Sequence, residues 1–192
     1  ETDQFDPTLY RGTSPAQRPP GHDYHVTEDL ADEAIKWLRV GHSLRSEQPF
    51  FMYFATGAAH APLQVPKQWV DAYKGQFDGG WDAMREHILT RQITLGVVPE
   101  GTPLTPRPDA LPAWDSLPDR QKQVAARLME TFAGFLAHTD HQVGRLVQTL
   151  KDLNEFDNTI FVYIAGDNGS SAEGGLAGSI NYMGALQGLS ET

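Results

Sequence analysis

The sequence contains no cysteine in its 192 residues. Disulfide bonds, thiolate metal sites and a cysteine nucleophile are therefore excluded within this chain, and its redox compartment stays open. Long hydrophobic runs are also missing, since no window approaches the ~18 to 20 apolar residues that a membrane-spanning helix needs. The first residues lack the basic and apolar regions of a signal peptide. We therefore expect a soluble chain without a membrane span.

Basic side chains are outnumbered, with 15 Lys and Arg against 25 Asp and Glu, so the formal net charge is −10. This charge opposes attraction to nucleic acid, which we exclude as a partner. The length suits one domain with one sizeable core. Because the chain does not start with methionine and stops in the Gly-rich end GALQGLSET, we expect an internal piece of a longer protein.

Proline and glycine divide the chain into predicted elements. Apolar residues at three- and four-residue steps predict helices, whereas dense aromatic and β-branched runs predict buried strands. Proline-rich residues 1–23 and 99–118 predict irregular surface segments. Helices are predicted at 27–41, with Thr27 as its cap, and at 67–73, 81–95 and 121–151; strands are predicted at 49–56 and 160–164. This order predicts an α/β fold, with a mostly parallel or mixed sheet covered by helices on both faces.

The predicted helices at 81–95 and 121–151 also indicate which side chains should pack inward. In the 81–95 helix, Met84, Ile88 and Leu95 are candidates for the inward face. Phe132 and Phe135 in the 121–151 helix are assigned to core packing rather than to a ligand site. The apolar stripe predicted for that helix comprises Val124, Leu128, Phe132, Phe135, Leu136, Thr139, Val143, Leu146, Val147 and Leu150.

Polar residues follow the second predicted strand directly, in the segment IFVYIAGDNG. Ligands of open α/β sheets bind beyond the carboxyl ends of the strands, which is where Asp167 and Asn168 would lie. Their hard oxygens suit Ca²⁺ or Mg²⁺. The alternative is an Asx turn, in which Asp167 and Asn168 only reverse the chain.

A histidine follows the first predicted strand in a similar way. His60 lies in the loop GAAHAPLQVP, where Pro62 and Pro66 prevent helix and keep the imidazole near the strand end. Imidazole is the side chain most easily used as an acid or base near neutral pH. The remaining histidines, for which we expect surface or structural roles, are His22, His25, His42, His87, His138 and His141.

If both strand ends meet at one edge of a sheet, His60, Asp167 and Asn168 would share a pocket. A hard cation beside a proton-transfer group indicates hydrolysis of an anionic ester, in which the cation polarises a phosphoryl or sulfuryl oxygen. A nucleophile is missing, because G-x-S-x-G, Walker A and G-x-G-x-x-G motifs do not occur.

From about Tyr24 to Gly175, the chain resembles an internal section of a sulfatase of the arylsulfatase type, within the alkaline phosphatase superfamily. The segments that carry the resemblance are PFFMYFATGAAHAPLQVP, YKGQFDGGWDAMREHILTRQITLGVVP and AHTDHQVGRLVQTLKDLNEFDNTIFVYIAGDNGSSAEGG. Their order makes the match more specific than any one segment does.

The resemblance implies an alkaline phosphatase-like fold and a small sulfate-ester substrate. It also implies that Asp167 and Asn168 are Ca²⁺ ligands, with Mg²⁺ the less favoured ion, and that His60 assists departure of the leaving group. Members of this family use a formylglycine nucleophile made from Cys or Ser in a C/S-x-P-x-R motif near the N-terminus of the domain, a region that we expect to lie outside this chain, which has no cysteine. The resemblance also implies a periplasmic or secreted location.

The parts of the family pattern that we expect outside this chain determine the expected domain organisation. Residues 1–192 would be the central part of one sulfatase catalytic domain, with the nucleophile region, the paired aspartates of the Ca²⁺ site and the C-terminal part supplied by the rest of the parent chain. The isolated chain is then expected to be inactive. Two alternatives stay open: a phosphate or phosphonate ester hydrolase of the same superfamily, and a non-catalytic sulfatase-like binding module.

Overall fold

A computed structural model describes residues 3–18, 23–166, 178 and 187–188. A hairpin of two short strands, β1 and β2, precedes four helices, α1 to α4. The bounds are β1 Leu9–Arg11, β2 Ser14–Ala16, α1 Val26–Leu44, α2 Lys67–Asp71, α3 Gly80–Thr94 and α4 Asp119–Asp152, with single 3-10 turns at Trp114–Ser116 and Phe156–Asn158. None of the helices in these ranges combines the length and hydropathy that a bilayer crossing requires.

The 34-residue helix α4 is the element against which the other helices pack. Its C-terminal half meets α1 through Ile35, Leu38, Leu146 and Leu150, all buried. Its middle meets α2 and the preceding loop through Phe135, which has no exposed surface and contacts Val65 and Val70. The core assignment of Phe135 is confirmed. Two apolar clusters along one helix thus hold the described elements together.

The N-terminus of α1 is capped differently from the prediction. Thr27 is buried inside the first turn, and the cap is His25, whose side chain accepts a hydrogen bond from the Thr27 N–H. Glu28 and Asp29 follow in the first turn, where carboxylates complement the positive end of the helix dipole. The prediction of Thr27 as the cap was wrong because the imidazole nitrogen of His25 supplies the acceptor instead.

The buried face of α4 differs from the predicted apolar stripe. Val124 and Leu136 are exposed, whereas Glu130, His138 and Gln142 are buried. These three polar residues and Gly134 lie four residues apart, so they form one continuous face of the helix. Polar groups could be buried there because they pair: Arg127 Nη1 donates to Glu130 Oε2 at 2.7 Å and the Gly75 N–H donates to Glu130 Oε1 at 2.7 Å.

The α3 region packs through its first turn. Gly80 has φ +76°, and a Cβ at this residue would lie about 2.0 Å from the Trp114 ring, so only glycine fits. The backbone N–H of Trp114 donates to Asp82 Oδ2 at 2.9 Å, and the Trp114 side chain is buried. Later in the helix, Ile88 and Leu95 are exposed. Their predicted inward positions were wrong because α3 meets its neighbours mainly near its start.

The N-terminal segment is more regular than predicted. Residues 1–23 were expected to be loop, but β1 and β2 pair antiparallel, with Tyr10 opposite Pro15. Gly12 has φ +61° in the two-residue turn between them, a backbone conformation typical of tight hairpins. An ion pair of 2.7 Å joins Arg11 Nη2 to Glu33 Oε2 on α1.

The two predicted interior strands are the main departure from the sequence-based fold. Residues 49–56 and 161–166 have no regular secondary structure, and Phe51, Tyr53, Ile160 and Val162 are largely exposed. Within the ranges that the structure describes, the β1–β2 hairpin is the one sheet. The prediction of buried strands was therefore wrong for these residues, because no described strand lies beside them and many of their side chains are exposed.

Alanine substitutions at two glycines of α4 should have opposite effects on stability, because Gly134 lies at a close helix contact and Gly144 does not. A Cβ on Gly134 would lie 2.8 Å from the carbonyl carbon of Trp69 and 2.9 Å from the backbone nitrogen of Val70, whereas a Cβ on Gly144 would meet nothing within 4 Å. We expect Gly134→Ala to destabilise the fold by roughly 1–3 kcal/mol through overpacking. The matched control Gly144→Ala should stabilise it by about 0.5–1 kcal/mol, as helix propensity dictates. Urea unfolding followed by circular dichroism measures both; a Gly134→Ala protein as stable as the parent would contradict the close contact.

Candidate active site

His60 lies in a tight turn between the extended residues 49–56 and α2. The His60 N–H donates to the Gly57 carbonyl at 2.9 Å, and its ring Nδ1 lies 2.9 Å from the Ala61 carbonyl oxygen. Because a carbonyl can only accept, Nδ1 must carry the proton. This hydrogen bond fixes the orientation and the tautomer of the His60 ring.

Gln64 anchors the loop that carries His60. Its side chain accepts a hydrogen bond from the Gln4 N–H at 2.7 Å and donates one to Asp3 Oδ2 at 3.1 Å. Its backbone oxygen lies 3.0 Å from His25 Nε2. Gly57, at the other end of the loop, lies close to the Gln4 side chain. The N-terminal segment and the start of α1 thus hold both ends of the loop.

A buried histidine pair lies behind this anchor. The rings of His25 and His138 meet edge to face with centroids 4.5 Å apart, and His138 Nε2 lies 2.9 Å from Glu28 Oε1. Trp69 packs edge-on against His138, with ring centroids 5.3 Å apart. His138 is fully buried, and its Nδ1 has no hydrogen-bond partner among the described residues. The pair joins α1, α2 and α4, so its role is structural, as expected for these two histidines.

The hydrogen bonds of His25 require a neutral ring. Its Nδ1 accepts from the Thr27 N–H at 3.2 Å and is therefore unprotonated, so Nε2 carries the proton and donates to Gln64. Burial lowers the pKa of His25, and the neighbouring His138 acts in the same direction, although the hydrogen bond to Gln64 opposes it. Protonation of the His25 ring therefore requires loss of the hydrogen bond that caps α1.

The sequence-based search missed the residues that hold the loop. His25 and Gln64 were not predicted as anchors, because each was considered without its long-range partner. A signal was present for His138: Glu130, His138 and Gln142 recur at multiples of four residues in α4. Polar residues at that spacing indicate a buried polar face when they share it with a core aromatic such as Phe135.

The predicted metal ligands Asp167 and Asn168 lie outside the described residues, as does most of the Gly-rich segment 173–178. The structure therefore shows the position of His60, whereas the distances from His60 to Asp167 and Asn168 are not described. In the ranges 3–18 and 23–166, and at the few described residues beyond them, no three His, Asp or Glu side chains lie close enough to hold a metal ion. The pair Asp167 and Asn168 offers the oxygen donors that a hard cation prefers, but fewer than the ~6 to 8 that Ca²⁺ takes.

The histidine cap predicts how stability changes with pH. The folded pKa of His25 lies below its unfolded value of about 6.5, so below that pH the unfolded chain binds a proton that the folded chain does not. The free energy of unfolding should fall as pH drops from about 6.5 towards the folded pKa, by up to ~1.4 kcal/mol per pH unit. His25→Asn keeps a capping side chain but cannot titrate, so it should lose less stability over that range.

The control for this prediction is His87→Asn on the exposed surface of α3. Urea unfolding at pH 7.5, 6.5, 5.5 and 5.0 would give the free energy of unfolding for the parent and both variants. The His87 variant should follow the parent. Equal losses in the parent and His25→Asn would show that the cap does not exclude a proton.

Comparison with known proteins places this arrangement in a family. The sulfatase family model matches residues 2–188. An arylsulfatase of Klebsiella aerogenes is 30% identical over 152 residues, which are 79% of this chain and 32% of that protein. An uncharacterized sulfatase of Schizosaccharomyces pombe is 33% identical over 183 residues, 93% of this chain and 32% of the relative. An arylsulfatase of Clostridium perfringens is 27% identical over 155 residues, 77% of this chain and 28% of the relative.

The chain spans about a third of the length of the curated relatives it matches. The family match covers the His60 loop, the helices and the D-N-G segment together. A family model that covers nearly the whole chain agrees with the resemblance found in the sequence, and the family's alkaline phosphatase-like α/β fold agrees with the predicted class. The chain therefore belongs to the sulfatase family.

Proposed function

We propose that this chain is part of a sulfatase that hydrolyses sulfate esters, with His60 as the proton donor to the leaving oxygen. The observation that carries the proposal is the family match over residues 2–188, which includes the anchored His60 loop. The named arylsulfatases of Klebsiella aerogenes and Clostridium perfringens support an aryl sulfate as the substrate class.

The tautomer of His60 is compatible with the proposed role. With Nδ1 bound to the Ala61 carbonyl, the imidazolium would donate its Nε2 proton to the ester oxygen as the sulfur–oxygen bond breaks. The leaving group would then depart as a neutral alcohol or phenol, and the imidazole would be left neutral. General acid catalysis of this kind contributes most where the leaving group is a poor one.

Asp167 and Asn168 are the residues proposed to hold Ca²⁺, with Mg²⁺ the less favoured ion. Such a cation would bind the sulfuryl group and polarise one of its oxygens. The two side chains suit the ion in donor type but not in number, so we propose that the remaining ligands come from another part of a longer polypeptide. We propose that the nucleophile comes from there too. The segment SLPDR at 116–120 fits the short C/S-x-P-x-R pattern, but Ser116 is exposed at the end of a 3-10 turn and its Oγ donates to the Ala113 carbonyl at 2.7 Å.

We propose accordingly that residues 1–192 form the central part of one sulfatase catalytic domain. The length of the relatives supports a part of a longer chain, since each match covers about a third of the relative, and the central position is what the resemblance implies. The placement also accounts for an isolated pair of metal ligands and for an acid without a nucleophile. Sulfate-ester hydrolysis would then belong to the longer protein and not to this segment alone.

The leaving-group dependence of His60→Ala tests the proposed acid. In the longest polypeptide that the gene encodes, the variant should lower kcat/KM for an aryl sulfate with a poor leaving group by about 10²–10⁴-fold. The loss should shrink for an activated aryl sulfate, whose phenolate departs without a proton. His87→Ala on exposed α3 is the control. An equal loss for all leaving groups would remove His60 from the role of acid.

The same assay with matched aryl phosphates separates the nearest rival. Asn168 in the D-N-G segment favours a single hard cation and a sulfate ester, whereas relatives acting on phosphate or phosphonate esters often resemble D-H-G at this strand end. A large preference for the phosphate would favour the rival. A parent gene that lacks a C/S-x-P-x-R motif and a pair of aspartates upstream of this segment would instead favour a non-catalytic binding module.

The incomplete ligand set predicts weak metal binding by the 192-residue chain alone. Calorimetric titration with Ca²⁺ should show no tight stoichiometric site, and aryl sulfate turnover should be absent, because two oxygen-donor side chains do not complete a Ca²⁺ site. The longer polypeptide should bind the ion and lose that binding in Asp167→Ala. Tight binding of one Ca²⁺ by the isolated chain would contradict the proposed division of the site.

A further inference from the structure

The loop of residues 57–64, which contains the proposed acid, is held at both ends by one N-terminal residue, Gln4. The backbone N–H of Gln4 donates to Gln64 Oε1 at 2.7 Å, and a Cβ on Gly57 would lie 3.2 Å from Gln4 Nε2. Gln4 is buried, and its carbonyl accepts a hydrogen bond of 2.9 Å from the N–H of Val26, the first residue of α1. Both ends of the loop are therefore fixed against a buried residue from another part of the chain.

Gln64 makes three hydrogen bonds at the end of this loop, and two of them use its side-chain amide. Oε1 accepts from Gln4, while Nε2 donates to Asp3 Oδ2 at 3.1 Å. The third uses the backbone oxygen, which lies 3.0 Å from His25 Nε2. Both halves of the amide thus bind the N-terminal segment, across 60 and 61 residues of sequence. A polar network whose bonds are satisfied makes the segments that it joins rigid.

The other side of the loop is held by apolar packing that does not involve the Gln64 amide. Ala58, Ala59 and Leu63 pack against the buried cluster around Phe135 of α4. Loss of the amide should therefore leave the loop attached to α4, because this packing remains. The loop would however be free to shift relative to α1 and the N-terminal segment.

We propose that Gln64 is a positioning residue for His60, and that its amide holds the imidazole where it can protonate the leaving oxygen. This rests on the proposed role of His60 as the acid. The His60 N–H donates to the Gly57 carbonyl at 2.9 Å, and Nδ1 lies 2.9 Å from the Ala61 carbonyl oxygen. The ring is therefore fixed relative to its loop, so the position of the loop determines the position of the ring. A misplacement of about 1 Å can cost an enzyme about 10²-fold in rate.

Gln64→Ala removes both amide bonds and keeps the backbone bond to His25. In the longest polypeptide that the gene encodes, it should lower kcat for an aryl sulfate with a poor leaving group by about 10- to 100-fold, with KM changed by less than about threefold, because the amide orients the acid and not the substrate. The loss should shrink for an activated aryl sulfate, as for His60→Ala. The control is Gln148→Ala, which removes an exposed amide that donates to Asp152 within α4, and it should behave as the unsubstituted protein.

A double variant separates positioning from a general loss of stability. His60→Ala with Gln64→Ala should be no slower than His60→Ala alone, because a residue that acts only through His60 has no ring left to position. If Gln64→Ala lowers kcat by the same factor in both backgrounds, Gln64 does not act through His60 and the proposal is overturned.

A second double variant exchanges the donor and the acceptor of the bond between Asp3 and Gln64. Asp3→Asn with Gln64→Glu lets the amide at residue 3 donate to the carboxylate at residue 64, and it keeps an oxygen for the N–H groups of Phe5 and Asp6. This pair should recover most of the rate lost in Gln64→Ala. Gln64→Glu alone should not, because it sets two carboxylates against each other. The same comparison decides the proposal if Gln64→Ala does not fold: equal rates in Gln64→Glu and the pair overturn it.

Amide hydrogen exchange measures the anchor without depending on turnover. The His60 amide should exchange at least about tenfold faster in Gln64→Ala than in the unsubstituted protein. Amides in the centre of α4 should be unchanged, which verifies the fold. Unchanged exchange at His60 overturns the proposal, even if the protein is an active sulfatase.

These measurements also distinguish failure of this proposal from failure of the proposed function. If His60→Ala loses the same rate for every leaving group, His60 is not the acid. Exchange at His60 and the rate of the His60→Ala, Gln64→Ala double variant would then still decide whether Gln64 positions the ring. Faster exchange without any change in kcat leaves the sulfatase activity intact and overturns the positioning role.

Discussion

The close backbone contact between α4 and α2 at Gly134 is the constraint on which the described fold depends. Because Gly134 has no side chain, the Trp69 carbonyl and the Val70 N–H can approach the helix axis directly. That approach brings Phe135 onto Val65 and Val70, at the end of the loop that carries His60. The position of the candidate acid is therefore set by packing on α4, well away from the imidazole itself.

Polar pairing then determines how α4 can be buried. Glu130 and His138 lie on the same face as Gly134, one to two turns apart, and both are buried. The Arg127 guanidinium beside Glu130 holds the pKa of that carboxyl below its ordinary value, and the Gly75 N–H acts in the same direction. A buried carboxylate whose hydrogen bonds are satisfied, as those of Glu130 are, fixes one register between the segments that it joins, where an apolar face alone would allow several.

The helices were predictable because their signals are local. The predicted ranges 67–73, 81–95 and 121–151 correspond to α2, α3 and α4 with small shifts at their ends. The residues that hold the site were harder to find, because His25 caps α1 and contacts Gln64 across 39 residues of sequence. Propensity favours Thr27 as a cap, and only the fold reveals that a buried imidazole replaces it.

The predicted strands show where sequence patterns reach their limit. Composition identified 49–56 and 160–164 correctly as apolar segments with β propensity, yet a strand is defined by its partners, and partners are non-local. Residues that would pair with these segments are not in the described part of the chain. The same reasoning applies to the candidate site. His60 can be assigned a tautomer from its own loop, but an acid becomes catalytic only beside the group it protonates. The assignment of His60 as an acid therefore depends on partners elsewhere in the sequence, as the assignment of a strand does.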